Sequence, residues 1–308
     1  MIKYFAVIFM KQQLRGSLFL VLATVIWGSA FVAQSVGMEH IGPFTFQAVR
    51  CALAVVGLLP ILLIMDSTKK DGKTFFSRWA DKQLWIAGIL CGIPLFLACN
   101  LQQLGIVDTD AGKSAFLTAM YIVIVPIIGI FRKEKPSRLI PLSVVLAVAG
   151  LYCLSFVGVM RISRGDALLL GCALMFAVQI TFVDMFVCKV DALRLNIIQA
   201  FVCAVLSGVV MLLTEQPTWA SVWACRLPVC YAGFLSMGLA YWFQILGQKA
   251  LKPSTASLIM SLESVFAVLS GWLILQEWLS LWEGIGCVLV FAAVILSQIP
   301  TRKDRHST

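Results

Sequence analysis

The sequence predicts an all-α integral membrane protein of ten transmembrane helices, arranged as two inverted five-helix repeats. Three observations lead there: a composition unsuited to water, ten apolar runs of membrane-crossing length, and a similarity between the two halves. Of 308 residues, 60% are hydrophobic and 13% charged, with a mean hydropathy of +0.94; soluble domains run at about 45–50% apolar and about 25% charged. Ten spans of roughly 20 residues use about 200 residues and leave about 100 for loops. The formal charge of +9 fits Lys and Arg blocks in the cytoplasmic loops of a membrane protein, so the expected partner is the lipid bilayer and no nucleic acid.

Residues 1–10 are apolar but too short to span, and no small-residue cleavage site follows. Residues 1–14 are therefore assigned to a cytoplasmic amino-terminal segment, with Met10 as a second candidate start. The first span, 17–36, follows Lys11 and Arg15 and carries Trp27 deep inside it. The second, 44–65, holds Arg50 in its outer part and Pro60. Between Asp66 and Lys82 lies the one long hydrophilic stretch, too short for a soluble domain, which excludes a receptor with a large ectodomain. The third span, 84–104, contains Pro94, a Gly88-x-x-x-Gly92 spacing suited to close helix packing, and Asn100, Gln102 and Gln103. The fourth, 111–131, carries Tyr121 and Pro126, and the fifth is 139–157. Prolines inside spans remove a backbone donor and are expected to mark kinks.

In the second half, the sixth span, 167–187, bears Gln179 and Thr181. Along the seventh, 196–214, Asn196, Gln199, Cys203 and Ser207 recur at helical spacing and read as a seam between helices. Tyr241, Trp242 and Gln244 lie on the eighth, 227–247, and Glu263 on the ninth, 254–275. The tenth, 281–299, precedes a tail at 300–308. Each run is close to the length at which a 1.5 Å rise per residue crosses a hydrocarbon core of about 30 Å.

Placing the amino terminus in the cytoplasm puts nineteen Lys and Arg residues on that side and four (Lys113, Arg161, Arg164 and Arg226) outside, with Arg50 inside a span. The positive-inside rule thus places both termini in the cytoplasm of a multi-pass plasma-membrane protein. Trp79, Trp85, Trp219, Trp223, Trp278 and Trp282 fall near span ends, where an amphipathic indole is most stable.

The chain resembles itself at a shift of about 142 positions. Gln102-x-Leu104-Gly105 matches Gln244-x-Leu246-Gly247, and Thr118 and Ser261 each precede a glutamate, Glu134 and Glu277, by sixteen positions. Ser137 matches Ser280, Val145-Leu146 matches Val288-Leu289, and Arg15-Gly16 opens the first half as Arg164-Gly165 opens the second. The units are 15–157 and 164–299. Five helices is an odd number, so the second unit enters the membrane upside down, and inverted repeats are the usual construction of secondary transporters.

Trp27-Gly28-Ser29-Ala30-Phe31, Arg50, the run from Ala111 to Thr118, Leu262-Glu263-Ser264-Val265-Phe266 and Gln276-Glu277 together resemble the EamA family, a branch of the drug/metabolite transporter superfamily. The resemblance covers almost the whole chain, from Arg15 to Ile299. It implies a ten-helix, two-repeat carrier of small metabolites, often an exporter of amino acids or related compounds. Two positions depart from the family pattern: Ser264 stands where proline is common after the glutamate, and Gln276 where glycine is frequent. Loss of that proline bears on how the ninth helix bends.

Glu263 lies near the middle of its span, where a charge costs about 2.5–3.5 kcal/mol on insertion scales and must face protein or water. It reads either as a substrate-ammonium contact or proton-titrating group, or as a structural carboxyl bonded to neighbouring helices. Arg50 reads either as a partner for a substrate carboxylate or as a snorkelling side chain. Asn100, Gln102, Gln179 and Gln244 are candidate orienting groups, with Trp27, Tyr121, Tyr241 and Trp242 as walls. Repeat alignment sets Asn100 opposite Trp242, which suggests a shared cavity near the symmetry axis.

Ten cysteines without a CxxC pair read as core filler, and the two histidines have no zinc-like spacing, so neither a metal nor a catalytic centre is expected. Gly112-Lys113-Ser114 imitates the end of a phosphate-binding loop, but Val107 stands where that loop needs glycine. Lys113 is read instead as an outer-edge residue. With no cofactor and no nucleotide site, the expectation is gradient-driven export of amino-acid-like solutes by alternating access at a midplane cavity, with the proton as a candidate coupling ion. The alternatives are a membrane-embedded binding or sensory scaffold and a channel.

Overall fold

In hydrocarbon a backbone must satisfy its own hydrogen bonds, which an apolar run achieves as a helix. The computed structural model describes residues 2–69, 72, 74–109, 111–134, 137–154, 163–275 and 280–299, and no strand occurs among them. Lys70, Lys73, Lys135, Arg161, Gln276, Glu277, Trp278 and the tail lie outside the described residues. The first repeat comprises α1 (Ile2–Met38), α2 (Pro43–Ser67), the short α3 (Phe75–Trp79), α4 (Lys82–Val107), α5 (Ala111–Thr118), α6 (Tyr121–Phe131) and α7 (Ile140–Leu154). The second comprises α8 (Arg164–Phe186), α9 (Ala192–Thr214), α10 (Trp219–Ala224), α11 (Arg226–Cys230), a π-helix (Tyr231–Ala240), α12 (Tyr241–Gln248), α13 (Pro253–Met260), α14 (Leu262–Leu275) and α15 (Leu281–Gln298). Among the described residues nine helical stretches are long and apolar enough to cross a membrane, and α7 is a shorter apolar tenth.

Four features depart from ten plain spans. The first helix starts at Ile2 and runs for 37 residues, about 55 Å at 1.5 Å per residue, so residues 2–14 continue it. The fourth span is interrupted between Thr118 and Tyr121, and the ninth at Ser261. These interruptions contain no proline, whereas the helices run through Pro60, Pro94 and Pro126 without a break. At Ser261 the side chain donates to the Leu258 carbonyl at 2.7 Å, a local bond that competes with the helical ladder. The eighth span contains ten residues of π-helix, a rare conformation that concentrates at functional sites.

Large apolar side chains such as Ile64, Ile130, Leu212 and Leu273 are more than half exposed, while Arg50, Asn196, Gln199 and Glu263 are buried. A helix surface that is apolar outside and polar inside suits lipid. The packing repeats when the halves are exchanged. The pair α4 and α8 answers α1 with α12 and the π-helix; α4 with α9 answers α2 with the π-helix; and α6 with α8 answers α1 with α14. The pairs α2 with α9 and α7 with α15 each join equivalent spans of the two halves.

The glycines that mark the repeat in sequence are the ones at which these helices touch. A methyl built on Gly16 would lie 3.1 Å from the Gly247 carbonyl, and one on Gly247 2.9 Å from that of Gly16. Gly105 and Gly165 repeat the contact at 3.1 and 3.0 Å. Small residues allow such close backbone approach in membranes. Gly247→Leu is expected to force α1 from α12 and destabilise the protein by about 1–3 kcal/mol or more, read as a lower melting temperature in detergent. Gly208→Leu, at a site with nothing within 4 Å, should melt with the wild type.

Charged side chains lock helix ends. Arg194 is buried, pairs with Asp66 and sits over the Trp79 ring, while Arg78 reaches the same Asp66 at 2.8 Å. At the opposite end of α2, Glu215 accepts from the backbone N–H groups of Phe44 and Thr45 at 3.0 and 2.8 Å. A carboxylate there also complements the helix dipole. Lys113 is bound to Asp166 at 2.6 Å, which tethers the start of the fourth span to α8.

Candidate functional site

Exchange of the two halves converges on a cavity between them. Its walls are Trp27, Phe31 and Gln34 of α1, Arg50 of α2, Gln102 of α4, Tyr121 of α6, Phe176 and Ile180 of α8, Ser236 of the π-helix, Tyr241 and Gln244 of α12, and Met260 and Glu263 at the interruption of the ninth span. Three pairs of walls are repeat equivalents: Gln102 with Gln244, Trp27 with Phe176, and Phe31 with Ile180, the last two 149 positions apart like Gly16 and Gly165. Free space for solvent is about 40 Å³, enough for a few waters. A metabolite would therefore require the walls to part.

The two interrupted spans meet here. Tyr121, which opens α6, donates its hydroxyl to Glu263 Oε1 at 2.9 Å. Ser264 donates to the Ala115 carbonyl at 3.2 Å, and its own amide bonds the Ser261 carbonyl at 3.2 Å. The residue standing in place of proline thus uses both a side-chain and a backbone donor that proline would lack. Thr118 and Ser261, matched in sequence, are the positions at which the two spans break.

Arg50 is 3% exposed and donates to Gln34 Oε1 at 3.0 Å, while its Nε is buried without a partner among the described residues. Its guanidinium also lies 5.8 Å from the Phe46 ring centroid. Glu263 is 6% exposed. Among the described residues neither Arg50 nor Glu263 has an oppositely charged group within 4.0 Å. A buried charge without a counter-charge is costly, and here a guanidinium and a carboxyl group line one space. Trp27 packs edge-on against Tyr241 with centroids 5.0 Å apart and donates Nε1 to the Ser236 carbonyl at 3.3 Å. Tyr121 meets Phe176 edge-on at 6.4 Å.

Of the residues singled out in the sequence, Trp27, Arg50, Gln102, Tyr121, Tyr241, Gln244 and Glu263 line this cavity, whereas Asn100, Gln179 and Trp242 do not. Asn100 is turned to the seventh span, donating to Ser207 Oγ at 2.9 Å. Trp242 packs against the cluster formed by Leu58, Leu62, Leu193 and Ile197. The reason is helix rotation: each residue advances about 100°, so Trp242 leaves the face that Tyr241 and Gln244 share, and Asn100 that of Gln102. The equivalence of Asn100 and Trp242 holds in the alignment, yet both point away from the cavity. Gln179 sits behind the wall and bonds Gln244. Phe31, Gln34, Phe176, Ile180, Ser236 and Met260 are additional walls. The 149-position offset could have found Phe176 and Ile180, whereas Gln34 and Ser236 are apparent only from their contacts.

Comparison with known proteins agrees with this architecture. The model of the EamA-like transporter family matches residues 14–156 and again 163–298. An uncharacterised transporter of Archaeoglobus fulgidus is 31% identical over 305 residues, covering 94% of this chain and 90% of that protein. YoaV of Bacillus subtilis, also an uncharacterised transporter, is 25% identical over 293 residues, covering 90% and 94% of the two chains. A crystal structure that shares 16% identity superposes with a TM-score of 0.76 over 92% of this chain and 96% of its own, which shows a common fold. Ten apolar helices in two equivalent halves, joined around a polar cavity, are thus matched twice along the sequence by one family model, and the chain belongs to the EamA-like transporter family, a membrane transporter.

Proposed function

We propose that the protein is a secondary-active exporter of amino-acid-like solutes, working by alternating access in the plasma membrane with both termini in the cytoplasm. The observation that carries this reading is a buried guanidinium, Arg50, and a buried carboxyl, Glu263, lining one cavity among aromatic rings, neither with an oppositely charged neighbour among the described residues. A zwitterion would place its carboxylate on the Arg50 guanidinium and its ammonium toward Glu263, restoring to each the partner it lacks. Trp27, Phe176 and Tyr241 would hold the apolar remainder. Interruptions at Thr118 and Ser261 give each half a place to bend, and broken helices at a repeat interface are how many carriers open a central site alternately to either side. Glu263, within reach of the Tyr121 hydroxyl, is also the group that would carry a coupled proton.

Counterflow tests the reading. Purified protein in liposomes preloaded with one amino acid should take up the labelled compound faster than empty vesicles, saturably, and respond to an imposed pH gradient. Ligand binding without flux would replace the carrier with a scaffold. Non-saturable flux without trans-acceleration would replace it with a channel.

A further inference from the structure

Behind the cavity wall five buried amides form one directed chain. Asn196 Nδ2 donates to the Gly238 carbonyl of the π-helix at 2.8 Å, and Gln199 Nε2 donates to Asn196 Oδ1 at 2.8 Å. Gln179 Nε2 donates to Gln199 Oε1 at 3.2 Å, and Gln244 Nε2 donates to Gln179 Oε1 at 3.1 Å. From the other side, Gln248 Nε2 donates to the Ile180 carbonyl at 2.9 Å, and Gln244 Nε2 donates to Gln248 Oε1 at 3.0 Å. All five side chains are at most 2% exposed.

The orientation of each amide follows from the two ends. A backbone carbonyl can only accept, so the groups facing Gly238 and Ile180 must be N–H donors. Asn196 and Gln248 are thereby oriented, and each turns its oxygen to the next residue inward. Gln199 and Gln179 must follow suit. Both arms then present oxygens to Gln244, whose amide has two N–H groups, and both are used. What Gln244 retains is Oε1, which is buried and has no partner among the described residues, on a side chain that lines the cavity.

We infer that Gln244 is a specificity-determining residue that offers the transported solute an acceptor and no donor, with Gln179 and Gln248 as the positioning residues that hold it so. The solute must then bring an N–H or O–H to that oxygen, since a ligand without one leaves a buried acceptor unpaired. On the zwitterion reading above, on which this inference rests, the donor is the amino group, shared between Gln244 and Glu263. Gln102, the repeat equivalent of Gln244, has no such relay among the described residues: there its Nε2 reaches the Thr118 hydroxyl, at 3.5 Å. The two halves are equivalent in sequence and unlike in polarity.

The test compares the best binder among the twenty standard L-amino acids with its deamino analogue, using the full-length protein in nanodiscs. Gln244→Leu should reduce the amine-to-deamino affinity ratio by about tenfold or more. Gln248→Met frees one N–H of Gln244 for the cavity and should lower the same ratio without touching the ligand. Gln248→Glu, which keeps the acceptor, should preserve it. Gln179→Met repeats the experiment from the other arm if Gln248→Met fails to fold. Unchanged ratios in Gln244→Leu or in the folded relay variant would overturn the inference while leaving carriage of amino acids intact. Absence of binding for all twenty amino acids would overturn both.

Discussion

Arg50→Ala is expected to weaken binding of carboxylate-bearing solutes by about 30-fold or more, as for truncation of one partner of a desolvated charge pair. The decarboxylated amine of the same solute should lose far less. Arg50 can be spared for this task because its protein partners are modest: one Gln34 oxygen at 3.0 Å, the Phe46 ring and the Cys99 thiol, with Nε unpartnered among the described residues. Arg50→Lys should recover only part of the affinity, since an ammonium cannot grip a carboxylate in two places. Competition binding with an amino acid and its amine reads the effect. Equal losses for both compounds would mean that Arg50 holds α1 to α2 and does not touch the solute.

Glu263→Gln is expected to abolish the response of transport to an imposed pH gradient, reducing gradient-driven accumulation at least tenfold, while counterflow at zero gradient stays within a few-fold of wild type. The amide occupies nearly the same volume and can still accept from the Tyr121 hydroxyl, but it carries no titratable proton. Tyr121→Phe keeps the carboxyl and removes its donor, so it should shift the pH at which flux is half-maximal without erasing the response. Flux measured in proteoliposomes across a series of internal and external pH values distinguishes the two. A Glu263→Gln protein that follows the gradient as the wild type does would remove the carboxyl from coupling and leave it as a solute contact or a structural bond.

Both experiments probe groups visible in the sequence because each is anomalous where it stands. A carboxylate and a guanidinium in apolar runs violate the local pattern, and such violations concentrate at functional sites. Gln102 and Gln244 were marked by the repeat itself. Asn100 and Trp242 had the same polarity or aromaticity and the same depth, yet they face other helices, because two residues along a helix turn a side chain by roughly 200°. Depth in the membrane is a linear property, whereas azimuth depends on which helix lies alongside.

Ten spans, their division into two related halves and the glycines that mark the repeat were all determined by the sequence alone, because hydropathy, length and self-similarity are properties of the chain as written. Whether Gly16 meets Gly247 or another helix could not be read there. Tertiary structure alone decided that the fourth and ninth spans break at Thr118 and Ser261 without a proline, that the eighth span adopts a π-helix, and that Asn196, Gln199, Gln179 and Gln248 converge on Gln244. The convergence on Gln244 depends on hydrogen bonds between residues distant in sequence. The direction of a buried amide is set by its partners, and partners are assigned only when the helices pack.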